Sequence, residues 1–475
     1  MPGIVALASL FLTVGLAGAT SGTVAAGAAV TFTVTADGTP PFSYQWWKDG
    51  AAIGGATDAA YTIAAAQPAD AGDYHAVVGN AAGATMSDTA SLLVNPSGTA
   101  LLQFPSGIAL DGAGNLYVAD TSANTILKIN PAGAASVLAG SAGQAGSQDG
   151  MGSAARFNAP VGVAVDANGT VYVAEKGNAA IRTVSAAGAV ATLAGSAAAR
   201  GSQDGAGSAA AFNSPEGIAL DRAGNLVVAD AFNATIRRIT PAGQVGTLCG
   251  SPGNPGEADG AGPAARFNEP TGVVADAAGS IYVADTYNDT LRKVAPDGSV
   301  TTLAGSAGLS GGNDGTGAYA LFSQPCGVAV DAAGNIYVAD TGNSTIRRIA
   351  PAGTVTTVAG VAGIAGLGDG AGSTALFNRP RGLAPDGAGG LWVADTGNAA
   401  IRRITAAGLV TTFTIVAAVP PESAPTPAPA SGATSGAPAA TGGGAMNPGF
   451  LLLLALMSAA RWMRRDSRRL RFGWR

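Results

Sequence analysis

Histidine is almost missing from this chain, with His75 the single copy in 475 residues. Imidazole is the usual general base and zinc ligand near neutral pH, so its scarcity severely limits the chemistry open to the protein. Cysteine occurs only as Cys249 and Cys326, whose spacing suits neither a disulfide framework nor a metal cluster. Both read as buried thiols. Aromatics are 6% of the residues and charged side chains 12%, a composition that fits many short strands joined by turns better than long packed helices.

What is abundant is glycine, 71 residues, together with 26 prolines, which points to an all-β chain. The formal charge of -5 conceals an asymmetry: seven arginines and one Asp fall between Arg461 and Arg475, leaving 18 basic against 29 acidic residues elsewhere. An acidic body repels phosphate backbones, so no nucleic-acid partner is expected.

The two ends read as targeting segments. Residues 1–19 contain the apolar run Ile4 to Leu16 followed by Ala17-Gly18-Ala19, the small-x-small form of a secretory cleavage site. No Lys or Arg precedes that run, which leaves open that it is the first strand of the next domain. Residues 417–444 form a Pro/Ala/Ser/Thr/Gly linker that buries too little apolar surface to fold. In 445–475, a small-residue stretch, the apolar segment Phe450 to Ala460 and the arginine cluster succeed one another. This resembles bacterial GlyGly-CTERM and PEP-CTERM sorting tails, although no Pro-Glu-Pro motif is present. The resemblance implies a short transmembrane helix, a sorting protease as partner and a cytoplasmic Arg-rich end, with the rest of the chain exported to the cell surface or beyond. An ordinary tail anchor predicts nearly the same placement.

Between 20 and 96 short alternating runs, such as Val30 to Ala36 and Asp73 to Asn80, read as strands of a sandwich. Trp46 within YQWWKDG and the segment Asp70-Ala71-Gly72-Asp73-Tyr74 resemble an immunoglobulin-like domain. The resemblance implies that Trp46 is a core residue and Tyr74 a corner tyrosine, with apolar Val34 and Ala76 standing where the family has its disulfide. His75 is expected on the outer face.

From 100 to 416 one unit repeats. Pro105, Pro160, Pro215, Pro270, Pro325 and Pro380 recur every 55 residues. The clearest copy, FSQPCGVAVDAAGNIYVADTGNSTIRRIAPAGTVTTVAG from Phe322 to Gly360, resembles the NHL repeat. It holds four strand-like runs separated by Gly, Asn and Asp turns, one blade of a propeller. Six copies predict six blades closing on a central axis, with residues 100–104 available to join the last sheet. The whole therefore reads as all-β: an NHL-type propeller, an immunoglobulin-like sandwich and a short C-terminal transmembrane helix.

Five copies are led by a Gly-rich segment with the core Asp-Gly-x-Gly, giving Asp149, Asp204, Asp259, Asp314 and Asp369. Long loops on one face of a rigid scaffold make these the candidate ligand-binding residues. Strand ends supply an acidic ring, Asp120, Glu175, Asp230, Asp285, Asp340 and Asp395, whose aspartates are weak metal candidates. A second ring runs Asp111, Asp166, Asp221, Asp276, Asp331, Asp386, and a basic ring Lys128, Arg182, Arg237, Arg292, Arg347, Arg402. Groups repeated in every copy are most simply needed by the blade, because Asp caps turns and Arg reaches carboxylates. The copies depart most from one another at Cys326, Arg379, Arg381, Pro385 and Trp392.

The NHL resemblance includes peptidyl-hydroxyglycine lyases, which rely on zinc-binding histidines; none lies between Phe104 and Ile415. The expected function is thus a non-enzymatic, cofactor-free surface protein that recognises a protein or glycan through the loop-rich propeller face. The alternative is a calcium-dependent lyase or hydrolase working in the propeller channel.

Overall fold

The computed structural model of the chain describes residues 6–13, 21–67, 70, 72–95 and 101–417. The expected sorting tail and linker, apart from Ala417, lie outside the described residues. Among the described residues no helix is long and apolar enough to cross a membrane.

The N-terminal module is a two-sheet sandwich. One sheet orders Ala6–Thr13, Val30–Asp37 and Ala60–Ile63; the other orders Ser21–Ala25, Ala90–Asn95, Gly72–Asn80, Ser43–Lys48 and Ala51–Ala52, with Gly83–Met86 also on Gly72–Asn80. Alternation turns Val30, Phe32 and Val34 inward to meet Trp46, Tyr74, Ala76 and Val78. Apolar contact thereby occupies the place of a disulfide, at about 25 cal/mol per Å² buried. The Trp46 indole donates to the Asp58 carbonyl at 2.9 Å, and the Tyr74 hydroxyl donates to the Asp70 carbonyl at 2.6 Å. His75 stacks on Trp47, ring centroids 6.0 Å apart. The apolar run read as a signal segment contributes Ala6–Thr13, an edge strand antiparallel to Val30–Asp37. That is the other reading its sequence left open.

The repeats build six five-stranded sheets, the blades. In blade 5 the strands run Pro325–Val330, Ile336–Asp340, Thr345–Ile349 and Thr354–Ala359 from the axis outward, and Gly315–Thr316 from the preceding Gly-rich segment pairs on the outer edge. The first hairpin turn follows from Asp331, whose carboxylate accepts the N–H groups of Ala333 and Asn335 at 2.9 and 2.8 Å. Gly334 beside it has φ +81°, a left-handed conformation that favours glycine.

Six apolar cores each lie between two neighbouring blades; one joins Leu102, Ile108 and Leu127 of blade 1 to Ala384, Trp392 and Ile401 of blade 6. The ring is closed. Closure differs from the expectation in one respect, since residues 101–104 form no strand. Instead Val416–Ala417 pairs parallel to Ala134–Gly140 of blade 1. The first repeat lacks an Asp-Gly-x-Gly segment, so its outer edge is open to a strand from the far end of the array.

Candidate site at the channel mouth

The repeated charges are engaged inside the blades. In blade 5 the Arg347 guanidinium donates to Asp340 at 2.8 Å and to Asp314 at 2.9 Å, and also to the carbonyls of Leu321 and Asn313. It lies over the Phe322 ring, 5.2 Å from the centroid. Asp314 additionally accepts the Thr357 N–H and hydroxyl, which fastens the Gly-rich segment to the blade. Arg182, Arg237, Arg292 and Arg402 make the same double ion pair. Asp149, Asp204, Asp259, Asp314 and Asp369 are therefore held one per blade and are not brought together.

The acidic ring is fully buried. None of Asp120, Glu175, Asp230, Asp285, Asp340 and Asp395 lines the central cavity, so the alternative of a calcium site in the channel draws no ligand from this ring. Among the described residues no three metal-ligating side chains gather. The basic ring also needs a correction in blade 1. Leu127 faces Val118 as Arg347 faces Val338, whereas Lys128 sits one residue out of step, over the Tyr117 ring. The one repeat without an Asp-Gly-x-Gly segment is thus the one without the arginine.

One guanidinium between two carboxylates leaves each cluster with an excess acid. Burial pushes the carboxyls of Asp230, Asp285, Asp340 and Asp395 up to about 6. Asp204 and Asp259, only partly buried, are held below the ordinary range by hydrogen bonds from Thr247 and Arg237, and from Thr302 and Arg292. A raised carboxyl pKa means that the folded chain binds more protons than the unfolded one between the ordinary 3.8 and about 6. Stability from this source therefore grows as pH falls through 6, and loss from Asp204 and Asp259 begins only below about 4. Thermal melts at pH 7.5 and 5 are expected to show the higher Tm at pH 5, with a smaller difference in Asp340→Asn. A Tm that falls steadily over this range contradicts the account.

The axis has a different character. Its cavity, about 110 Å³, is lined by three consecutive residues from each blade. The middle one is always glycine: Gly107, Gly162, Gly217, Gly272, Gly327 and Gly382. A Cβ on any of them would overlap a backbone carbonyl of the next blade, and Gly382 meets Ser106 to complete the circle. The last one is always aliphatic. The first, immediately after the proline, is different in every copy: Ser106, Val161, Glu216, Thr271, Cys326 and Arg381.

Variation continues outward from this ring. Lys176 reaches Glu216 at 2.5 Å and lies over the Phe232 ring, 5.5 Å from its centroid. Phe232 and Glu269 line a groove of about 270 Å³ with Gly253, Pro255 and Asn268. Partial burial, with the neighbouring Glu216 charge, raises the Glu269 carboxyl. Phe232 and Tyr287 occupy equivalent places in adjacent blades and are 49% and 55% exposed. Of these residues the sequence reading singled out Cys326 and Arg381. Glu216, Lys176, Phe232, Glu269 and Tyr287 were missed, and the available signal was a comparison of the columns flanking each proline.

With this geometry in place, comparison with known proteins identifies the parts. The immunoglobulin I-set domain matches residues 18–94, and the NHL repeat matches 102–129, 157–183, 267–293 and 322–349. The chain thus contains an I-set domain and NHL repeats arranged as a propeller. It is 32% identical over 322 residues to the Arabidopsis thaliana protein SUPPRESSOR OF QUENCHING 1, chloroplastic, covering 64% of this chain and 30% of that one. The decoration protein of Escherichia phage T5 is 42% identical over 73 residues, 15% of this chain and 44% of that protein. The chain spans less than half the length of either relative. A structural-genomics protein from Bacteroides thetaiotaomicron has the same fold, with a TM-score of 0.50 and 19% identity over 85% of this chain and 98% of that one.

Proposed function

We propose that this is an exported, non-enzymatic recognition protein whose propeller binds a protein or glycan through the channel mouth. The immunoglobulin-like module serves as a spacer or second contact, and the C-terminal tail carries the protein to the membrane. The observation that carries this reading is the contrast at the axis. Every repeated charge is committed within its own blade, while the residues after the six prolines all differ. Repetition serves the scaffold; a ligand that meets different groups at one point requires asymmetry. Exposed aromatics beside charged side chains are the usual anchors of such a surface.

The test is to probe glycan and protein arrays with the full chain and with Phe232→Ala/Tyr287→Ala. Both aromatics are exposed, so the variant is expected to keep its melting temperature while losing roughly tenfold or more in affinity for its ligand, as removal of two anchors implies. Equal binding by both proteins would remove the mouth as the recognition surface.

A further inference from the structure

The central cavity contains one cation that the fold does not neutralise. Among the described residues only two charged ones line it, Glu216 and Arg381. Glu216 is buried and paired with Lys176. Arg381 is partly buried and makes no ion pair with any of the described residues; its Nε lacks a hydrogen-bond partner, as does that of each doubly paired arginine, so the difference lies in the missing carboxylates. Its guanidinium lies over the Phe104 ring, 5.7 Å from the centroid. Around the ring its neighbours are Cys326 and Ser106, neither of them acidic.

The contrast with the other arginines is informative. Arg182, Arg237, Arg292, Arg347 and Arg402 each hold two carboxylates. This sequence pairs a buried arginine wherever the repeat supplies one. Arg381 stands in a column where other copies carry Ser, Val, Glu, Thr or Cys, so no blade needs a cation there. A second unpaired arginine, Arg379, is exposed two residues earlier on the same blade. A planar guanidinium that lies over an aromatic ring is held through its face, which leaves its N–H edge for a carboxylate met through two parallel N–H bonds.

We propose that Arg381 anchors the carboxylate of a ligand entering the central cavity, with Arg379 adding attraction at the entrance. The inference rests on the channel mouth being the recognition surface and names the chemistry at its centre. A cavity of about 110 Å³ admits the acid end of a ligand rather than a whole sugar or side-chain cluster, so the remainder lies on the mouth near Phe232. The carboxylate comes either from a free small acid or from the C-terminus of a peptide.

The experiment titrates the full chain by NMR with isotopically labelled acetate, and with trialanine bearing a free or an amidated C-terminus. Saturable binding of acetate or of free-acid trialanine is expected, weakened roughly tenfold or more by Arg381→Gln and only partly restored by Arg381→Lys, which keeps the charge but not the fork. Binding of the free-acid peptide alone identifies a C-terminus as the source; equal binding of acetate identifies a small acid. The Arg381→Gln protein should melt close to the parent, since Arg381 makes no ion pair with the described residues and loses only its contact with the Phe104 ring. Indifference to all three probes, or binding unaltered by Arg381→Gln, overturns the anchor. If Phe232→Ala/Tyr287→Ala still abolishes array binding in that case, the mouth remains the recognition surface and only the carboxylate assignment fails.

Discussion

Gly327→Ala is expected to prevent closure of the propeller or to lower its melting temperature more than any other single-methyl addition in the chain. The new Cβ would overlap the Arg381 backbone carbonyl of the next blade. Because the overlapped atom belongs to the backbone, no side-chain rotation can relieve the clash. The innermost strands meet in a ring, so opening one junction strains the other five. The cost should reach or exceed the ~3 kcal/mol upper end for overpacking. Gly246→Ala is the matched control. Gly246 lies on the fourth strand of its blade, Gln244–Gly250, has no atom within 4 Å of its Cβ position, and stands where other blades carry Ser, Ala or Thr. That change should be neutral or stabilise by roughly 0.4–1 kcal/mol. Differential scanning calorimetry on both proteins is decisive: if Gly327→Ala melts with Gly246→Ala, the six glycines are not what lets the innermost strands close.

The second large effect concerns the buried arginine. Arg347→Leu removes a fully buried cation and leaves Asp340, itself fully buried, with backbone and Asn343 donors but no counter-charge. Loss of one partner from a buried pair costs about 3–5 kcal/mol. Asp314 is 48% exposed, so Asp314→Ala should cost far less, on the order of 1 kcal/mol. Blade 1 shows how the deficit can be relieved. There Leu127 replaces the arginine, and Asp120 keeps its place by accepting the N–H groups of Gln103, Phe104 and Ala123. Combining Arg347→Leu with Asp340→Asn should therefore recover part of the lost stability. Urea unfolding of the single and double variants measures this; additive losses would show that no buried charge had been stranded.

The sixfold architecture was legible because each blade repeats its hydrogen-bonding chemistry along with its apolar pattern. Turn aspartates such as Asp331, the prolines that open the innermost strands, and the segment around Tyr74 all announce local structure. The outer fifth strand was not legible, since Gly315–Thr316 is too short for any alternation to show. The closing strand was hidden for another reason: pairing of Val416–Ala417 is decided by an open edge on blade 1, far away in sequence. Lys128 was placed in the basic ring by charge, whereas strand register assigns that place to Leu127. The mouth residues escaped because a search for what recurs passes over columns whose content is their variation. Phe232 and Glu269 also come together only when neighbouring blades are side by side.

The edge strand of blade 1 has a consequence for synthesis. Each of blades 2 to 6 receives its outer strand from the segment just before it, so that strand has already left the ribosome when the blade folds. Blade 1 emerges before the other five, yet its outer partner, Val416–Ala417, follows all of them. Throughout translation of the array, Ala134–Gly140 presents unpaired backbone groups to its surroundings, an invitation to pairing between nascent chains. Blade 1 is therefore the first blade made and the last completed, and chaperone protection during production should be needed most there.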